Sequence, residues 1–378
     1  MIPGVDKTVR LQRRVAAACQ EADTPSALLL GVKRALGQDL VVDRWCGLTF
    51  DPVMGIPTGG VHDEGVAAHR IPRMLEIEFI PGEANIFEEL LRGGAPAAAL
   101  SEATAGDLSR SARWRDVLEP DDVGDELRAV FRDGSGRTWG GMTLFRATDA
   151  PWFSREEVAA VIRATADVAS AIRRVLLLAE VLEHETPSGP VLLILDRDLT
   201  SILHASTAAK QLLTEIEDGS TDRLPYALHA LALQASHTGG LVRTRLRTRT
   251  GHWLTAHAEP LDTNMSIILE PTRPHELAQI LSAAHGLTRR EVDVVRLVAA
   301  GCTNVEIARL LVVSRYTVQD HVKSVFEKLD VATRSELVSR LFFDHYLPRT
   351  ESGATVGADG WFRSPRLPAR SEAGVRHT

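Results

Sequence analysis

The most regular hydrophobic pattern in the chain is a series of four short segments near its C-terminal end. Each segment places apolar residues at helical spacing, and they begin at Thr288, Thr303, Ser314 and Thr333. A glutamate lies three residues after three of these starts, at Glu291, Glu306 and Glu336. Ser/Thr followed by such a glutamate is typical of a capped helix start, and Gly301 suits the end of the first helix. The pattern predicts four short helices joined by tight turns.

The third of these helices, from Ser314 to about Leu329, separates apolar from polar residues. Its apolar stripe, which we expect in the core, consists of Val318, Val322, Val325, Phe326 and Leu329. The opposite face carries Arg315, Tyr316, Gln319, Asp320, Lys323 and Glu327. Gln pairs with adenine, Lys with guanine and Asp with cytosine in a DNA major groove, while Ser314 and Thr317 lie where a helix N-terminus favours a phosphate. An ordinary solvated helix face shows the same periodicity.

Earlier in the chain, residues 125–145 contain two strand-like runs around the turn Asp133-Gly134-Ser135-Gly136, which predicts a β-hairpin. Ser154 and Glu157 then form another capping box, which predicts the start of a long helix. This helix repeats residues at three- and four-residue steps, namely Val158, Val161, Thr165, Val168, Ile172, Val175, Ala179 and Leu182. Such a repeat fits either a coiled-coil seam or a single amphipathic helix packed on its own domain.

A second region with strand patterns follows the boundary signal Pro187-Ser188-Gly189-Pro190. Strands are predicted at 191–195, 242–249, 253–258 and 265–269, with a helix at 206–216. Strict alternation places four arginines on one strand face, namely Arg243, Arg245, Arg247 and Arg249. We interpret this row as the solvated face of a sheet; the alternatives are an anion site or contact with a carboxylate-rich neighbour.

Composition narrows the classes of protein. Apolar residues make up 44% and charged residues 25% of the 378, as in ordinary globular domains, and no window resembles a membrane span or a signal peptide. Cys19, Cys46 and Cys302 fit neither metal spacing nor a disulfide framework, so we expect reduced thiols in the cytosol, with no metal and no cofactor. The net charge of −7 argues against non-specific coating of nucleic acid, whereas residues 287–348 carry nine Lys/Arg against eight Asp/Glu.

The C-terminal segment Leu287–Leu347 resembles the LuxR-type helix-turn-helix. The resemblance rests on Leu287-Thr288-Arg289-Arg290-Glu291, on Gly301 to Ala308, on Ser314 to Lys323 and on Phe326 to Leu329. It implies that Val305–Leu311 supports the recognition helix Ser314–Leu329 and that Thr333–Tyr346 supplies a dimer contact. The DNA-binding residues that this segment predicts are Asn304, Ser314, Arg315, Tyr316, Thr317, Gln319, Asp320, Lys323 and Lys328. Many relatives carry a basic or neutral residue at Asp320, so the operator is expected to differ from common ones.

The N-terminal part of the chain, up to residue 278, resembles known domain families more weakly than the C-terminal segment does. Ser111 to Leu118, the hairpin and the long helix resemble GAF-like sensor domains, and Val191–Glu270 resembles a PAS-type domain. The expected fold class is therefore multidomain α+β, with two sheet-based sensors and a C-terminal all-α four-helix domain. The expected boundaries are 1–152 (GAF-like), 153–186 (connecting helix), 187–278 (PAS-like), 279–348 (helix-turn-helix) and 349–378 (disordered tail). Trp114, Trp139, His62 and His69 either line a sensor pocket or belong to core and surface.

These observations together predict a cytoplasmic, homodimeric regulator of transcription that binds promoter DNA and senses a small molecule or a partner protein. The alternative is a signalling scaffold whose sensor domains bind a protein partner, with little DNA binding. An enzyme is not expected, because the sequence shows no nucleophile with a base and an orienting group, and no Gly-x-Ser-x-Gly elbow.

Overall fold

The computed structural model describes residues 7–63, 65–178, 189–216, 224–249, 251–272, 283–299, 301–337, 355–356 and 362–363. The chain divides into two compact units. The first comprises Met1–Thr272 with Glu276–Thr288, and the second comprises Arg273–His275 with Arg289–Thr378. None of the helices within the described residues is long and apolar enough to cross a membrane.

The first unit contains an antiparallel five-stranded sheet in the order β2-β1-β5-β4-β3. Its strands are β1 Arg44–Phe50, β2 Pro57–Asp63, β3 Ala97–Ala99, β4 Val123–Arg132 and β5 Thr138–Ala147. The predicted hairpin is confirmed as β4 and β5. Its turn is stabilised by the Asp133 carboxylate, which accepts hydrogen bonds from the backbone N–H groups of Ser135 and Arg137, and Gly136 supplies the positive φ of 84°.

Helices cover this sheet, and the long one packs against it. The helices are α1 Lys7–Glu21, α2 Pro25–Leu36, α3 Ile71–Ile77, α4 Phe87–Arg92, α5 Leu100–Ala103 and α6 Arg155–Leu178. Short helical turns lie at Ala68–Arg70, Leu108–Arg110, Trp114–Leu118 and Glu119–Asp121. The capping box that starts α6 is confirmed, since the Ser154 N–H donates to Glu157 Oε2 at 2.8 Å and the Glu157 N–H to Ser154 Oγ at 3.3 Å.

The three- and four-residue repeat of α6 is the buried face of that helix. Its described members, Val158, Val161, Thr165, Val168, Ile172 and Val175, are all at most 5% exposed. They pack with α1, α2 and strands of the same unit. The amphipathic alternative therefore holds for these residues, and they are not free to form a coiled-coil seam; Ala179 and Leu182 lie outside the described residues.

A second antiparallel five-stranded sheet follows in the first unit, in the order β7-β6-β10-β9-β8. Its strands are β6 Val191–Leu195, β7 Ile202–Ala205, β8 Val242–Arg247, β9 Trp253–Leu261 and β10 Asn264–Pro271. The helices α7 Thr207–Leu213 and α8 Tyr226–Thr238 accompany it, and Ser206 caps α7. Counted from its own first strand, this sheet has the same strand order as the first one.

The arginine row on β8 differs from the prediction of a solvated face. Arg243 is exposed, but Arg245 and Arg247 are 5% and 8% exposed. The Arg245 guanidinium forms two hydrogen bonds with the buried Asp51 carboxylate, at 2.7 and 3.1 Å, and Arg249 donates to the Thr214 carbonyl. A buried guanidinium needs an ionised partner, and Asp51 at the end of β1 supplies it. The alternative of a carboxylate neighbour is therefore correct at Arg245.

The candidate pocket residues lie mostly in the core or on the surface. Trp139 is fully buried and its indole N–H donates to Asp133 Oδ2 at 2.8 Å, which makes it a core residue. His69 is exposed, and Trp114 is half-buried. His62 belongs to β2, but its side chain lies outside the described residues.

The second unit contains three successive helices, namely α9 Arg289–Ala299, α10 Asn304–Leu311 and α11 Arg315–Leu329. Residues 334–337 are helical, while the rest of the predicted fourth helix, to Tyr346, lies outside the described residues. Residues 283–288, which the predicted boundary at 279 assigned to this domain, belong to the first unit. There Ala283 and Ala284 are buried, and Arg137 donates to the Leu287 carbonyl.

Four residues of the tail 349–378, which the sequence predicts to be disordered, belong to the described part of the chain. Strand β11 Thr355–Val356 pairs antiparallel with β12 Phe362–Arg363. The other residues of the tail lie outside the described part of the chain.

Candidate nucleic-acid interface

Helix α10 is held at its start by a complete capping box. The Thr303 N–H donates to Glu306 Oε2 at 2.7 Å, and the Glu306 N–H donates to Thr303 Oγ1 at 3.4 Å. The hydrogen bond from the Thr303 backbone lowers the pKa of the Glu306 carboxyl, so that it stays ionised at the positive end of the helix dipole. Gly301, with φ of 83°, turns the chain before the cap. The local sequence thus fixes where α10 begins.

Helix α11 is fixed by its cap and by its apolar stripe. Ser314 Oγ accepts the Thr317 N–H at 3.0 Å, which starts the helix at Arg315. Val318, Val325 and Leu329 are at most 1% exposed. Because these residues face the core, the opposite side of α11 must face outward.

The outward side of α11 brings five predicted DNA-binding residues together, and we call it the recognition face. All five are exposed; they are Arg315, Tyr316, Gln319, Asp320 and Lys323. Tyr316 is 81% exposed, and the Lys323 ammonium lies 3.9 Å from the Glu327 carboxylate one turn later. A surface ion pair at this distance contributes little, so Lys323 is available for another acceptor. Ser314 is exposed and Thr317 half-buried beside this face.

Two of the predicted residues, Lys328 and Asn304, have partners inside the unit instead. The Lys328 ammonium donates to both oxygens of the nearly buried Glu291, at 2.8 and 2.7 Å. Asn304 Oδ1 accepts a hydrogen bond from Arg334 at 3.1 Å, and the same guanidinium donates to the Cys302 carbonyl. Lys328 ties α11 to α9, and Asn304 helps to anchor the start of α10. Their proposed contact with DNA stays a prediction.

Sequence reasoning missed Val312, which ends α10 with φ of 54° and is 88% exposed. It lies beside an open groove of about 580 Å³ between α10 and the start of α11. The only signal in the sequence was an apolar residue where a helix end usually takes Gly or Asn. Within the described residues, no group of three His, Cys, Asp or Glu side chains is placed to hold a metal ion.

A known family matches residues 289–341 of the second unit together with residues 285–288, which belong to the first unit. Residues 285–341 match the family model described as bacterial regulatory proteins, luxR family. The predicted resemblance is therefore confirmed for this segment, which is a LuxR-family helix-turn-helix DNA-binding domain.

Curated relatives match the same part of the chain. A putative HTH-type transcriptional regulator of Mycobacterium bovis, Mb0914c, is 52% identical over 52 residues, which is 14% of this chain and 6% of that protein. The response regulatory protein YgeK of Escherichia coli is 44% identical over 57 residues, 15% of this chain and 39% of that protein. The chain thus spans well under half the length of either relative.

Among solved structures, the VqmA–ligand–DNA complex of Vibrio cholera aligns with 20% identity over 42% of this chain and 83% of that chain. The TM-score of this alignment is 0.20.

Proposed function

We propose that the chain is a sequence-specific, DNA-binding regulator of transcription. The observation that carries the proposal is the recognition face, which is exposed on a capped helix whose other side is buried, within a segment that matches the LuxR-family model. A helix held in this way can enter a major groove without rearrangement.

Each side chain of the recognition face has a role in this proposal. Gln319 pairs with an adenine, Lys323 with the O6 and N7 of a guanine, and Asp320 accepts a hydrogen bond from cytosine N4. Arg315 lies at the N-terminus of α11 with the Ser314 hydroxyl, where a DNA phosphate meets both positive charge and the helix dipole. Because Asp320 repels phosphate, it acts through base selection rather than through affinity.

The net charge of residues 287–348 supports binding to DNA as a dimer. With nine Lys/Arg against eight Asp/Glu, residues 287–348 supply little general attraction to DNA. We therefore propose a homodimer that binds two half-sites in the cytoplasm. The described part of the α6 repeat is buried within the chain. We therefore propose the segment Thr333–Tyr346 for the dimer contact.

For the front of the chain we propose a sensing role without catalysis. The two sheets of the first unit are joined through the buried pair of Asp51 and Arg245, so a change at one sheet has a direct route to the other. We propose that the two sheets belong to sensor domains of the GAF-like and PAS-like kind, which bind a small molecule or a partner protein. Native mass spectrometry of the full chain tests for a retained effector.

The experiment selects duplexes from a random DNA pool with the full chain and measures their affinity by fluorescence anisotropy across salt concentrations. We expect Gln319→Ala and Lys323→Ala each to weaken binding by about 5- to 150-fold, which is the loss expected when one side chain–base contact is removed. Lys210→Ala removes an exposed positive charge from α7 and should leave the affinity unchanged.

If both α11 variants bind like the parent, the recognition face is misassigned. If the parent binds no sequence at any salt concentration but holds a stable protein partner, the chain is a signalling scaffold.

A further inference from the structure

The start of α10 and the helical residues 334–337 are joined by the side chain of Arg334. Its guanidinium donates through Nη1 to the Cys302 carbonyl at 3.0 Å and through Nη2 to Asn304 Oδ1 at 3.1 Å. Asn304 is the first residue of α10, and Cys302 lies in the turn before its cap. Arg334 and Asn304 are both half-buried, so part of each side chain still reaches the surface.

This contact fixes which way the Asn304 amide points. A side-chain amide has an oxygen that only accepts hydrogen bonds and a nitrogen that only donates them. A guanidinium can donate but cannot accept, so Arg334 binds the oxygen and leaves the Nδ2 group on the other branch of the amide. Among the residues that the structure describes, none accepts a hydrogen bond from Asn304 Nδ2. The amide is therefore held with its donor available to an acceptor outside the protein.

Asn304 lies beside the surface that the proposed function assigns to the DNA backbone. The next residue, Val305, lines the same open groove as Ser314 and Arg315, for which we propose a phosphate contact. Phosphate oxygens accept hydrogen bonds from asparagine side chains, and they can bind Nδ2 but not the amide oxygen. The orientation that Arg334 imposes is thus the one that suits a phosphate.

We propose that Arg334 is a positioning residue for DNA binding, which holds the Asn304 amide so that its Nδ2 group donates to a phosphate of the DNA backbone. The proposal rests on the proposed function, since it concerns the same helix-turn-helix and the same DNA. It assigns Asn304 to the register of the protein on the duplex and not to the selection of bases.

A purely structural role of Arg334 predicts a different result. In that case the guanidinium only ties the turn at Cys302 to residues 334–337, and Asn304→Ala leaves the hydrogen bond to the Cys302 carbonyl in place. Arg334→Met would then weaken DNA binding equally in the parent and in Asn304→Ala. If Arg334 acts through Asn304, it has no amide to position in Asn304→Ala, and the two losses are not additive.

The test measures the affinity of the full chain for duplexes selected by the parent, by fluorescence anisotropy across salt concentrations. We expect Asn304→Ala and Arg334→Met each to weaken binding by about 10-fold per DNA-bound copy, the loss of one hydrogen bond to a charged group. The double variant should bind within about twofold of Asn304→Ala. Arg290→Met is the control, because Arg290 donates to the Leu311 carbonyl at the other end of α10, and its effect should add to that of Asn304→Ala.

A further variant separates positioning from folding. Asn304→Asp keeps an oxygen for Arg334 and exchanges Nδ2 for a second acceptor, which repels phosphate. It should weaken DNA binding by more than Asn304→Ala does. Hydrogen exchange should show the amides of α10 at least as protected as in the parent, because an ion pair replaces a neutral acceptor at the start of the helix.

The salt dependence tests whether Arg334 binds phosphate itself. The slope of log affinity against log salt should stay at the parent's value in Arg334→Met, because a positioning residue neutralises no phosphate. A slope that is shallower by about 0.9 per copy would overturn the proposal and make Arg334 a phosphate ligand. Additive losses in the double variant, or parent-like binding by Arg334→Met, would overturn it as well.

The parent chain shows which of the two proposals has failed. If the parent binds its selected duplexes and the variants do not behave as expected, this inference fails and the proposed function stands. If the parent selects no DNA at any salt concentration, the proposed function fails and this inference fails with it.

Discussion

The backbone of Val312 is strained, so the sign of the stability change on replacing this residue can be predicted. Relief of the left-handed conformation by Val312→Gly should gain about 1–2 kcal/mol, and the greater freedom of glycine in the unfolded chain should cost about 0.5–1 kcal/mol. We expect a net gain of about 0.5–1 kcal/mol in the stability of α10 and α11, measured by hydrogen exchange of their amides.

A second substitution to glycine, on helix α10 itself, should change the stability in the opposite direction. Leu310 is 61% exposed within α10, so Leu310→Gly should lower stability by about 0.5–1 kcal/mol. Equal losses in both variants would show that Val312 is not strained.

His229 on α8 makes the stability of the first unit depend on pH. The side chain is 5% exposed, and burial lowers its pKa from 6.5 to about 4, against the raising effects of Glu76 and Asp196. Between these values the unfolded chain binds a proton that the folded chain does not. Stability is therefore complete above pH 6.5 and falls as the pH drops towards 4, by at most about 1.4 kcal/mol per pH unit.

Urea unfolding at pH 7, 6 and 5 measures this dependence. His229→Gln should flatten it between pH 7 and 5, whereas His237→Gln, at an exposed position of the same helix, should not. An unchanged slope in His229→Gln would assign the dependence to other groups.

At the scale of elements, the end of β1 and strand β8 are joined by the pair of Asp51 and Arg245. Their side chains are 0% and 6% exposed. Removal of one partner leaves the charge of the other buried, so Asp51→Ala should lower the free energy of unfolding by about 3–5 kcal/mol. The double variant Asp51→Ala with Arg245→Met should recover part of that loss, because it removes both charges.

The exposed pair Glu88 and Arg92 on α4 is the control for this prediction. Glu88→Ala should cost less than about 1 kcal/mol in the same urea titration. If the double variant is no more stable than Asp51→Ala, the pair does not hold the two sheets together.

The elements show which features a sequence reveals. Caps such as Ser154, Thr303 and Ser314 were predictable, because a cap depends on residues three positions apart. The hairpin of β4 and β5 was predictable from its turn and alternation. The burial of Arg245 was not, since its partner Asp51 lies 194 residues away, and the pairing of Lys328 with Glu291, 37 residues apart, was hidden for the same reason. The repeat in α6 was visible, but whether the same chain buries it depends on tertiary structure.

At the scale of the whole molecule, the charge is divided unevenly. The net charge is −7, and residues 287–348 contribute one net positive charge, so the remainder of the chain is acidic. Acidic modules repel DNA at long range, and the recognition face must overcome this through short-range contacts. We therefore expect the proposed function to be revealed by which DNA sequences the chain prefers, more than by its affinity for DNA alone.

The most direct test of the central claim compares the sequence preferences of the parent chain and Gln319→Ala, each selected from the same random duplex pool. If α11 recognises bases, Gln319→Ala should lose the preference at one base pair of each half-site and keep the others, and Lys210→Ala should select the parent's sequences. If Gln319→Ala selects the same sequences with the same preference at every position, α11 does not recognise the bases through Gln319, and the account of the recognition face is wrong.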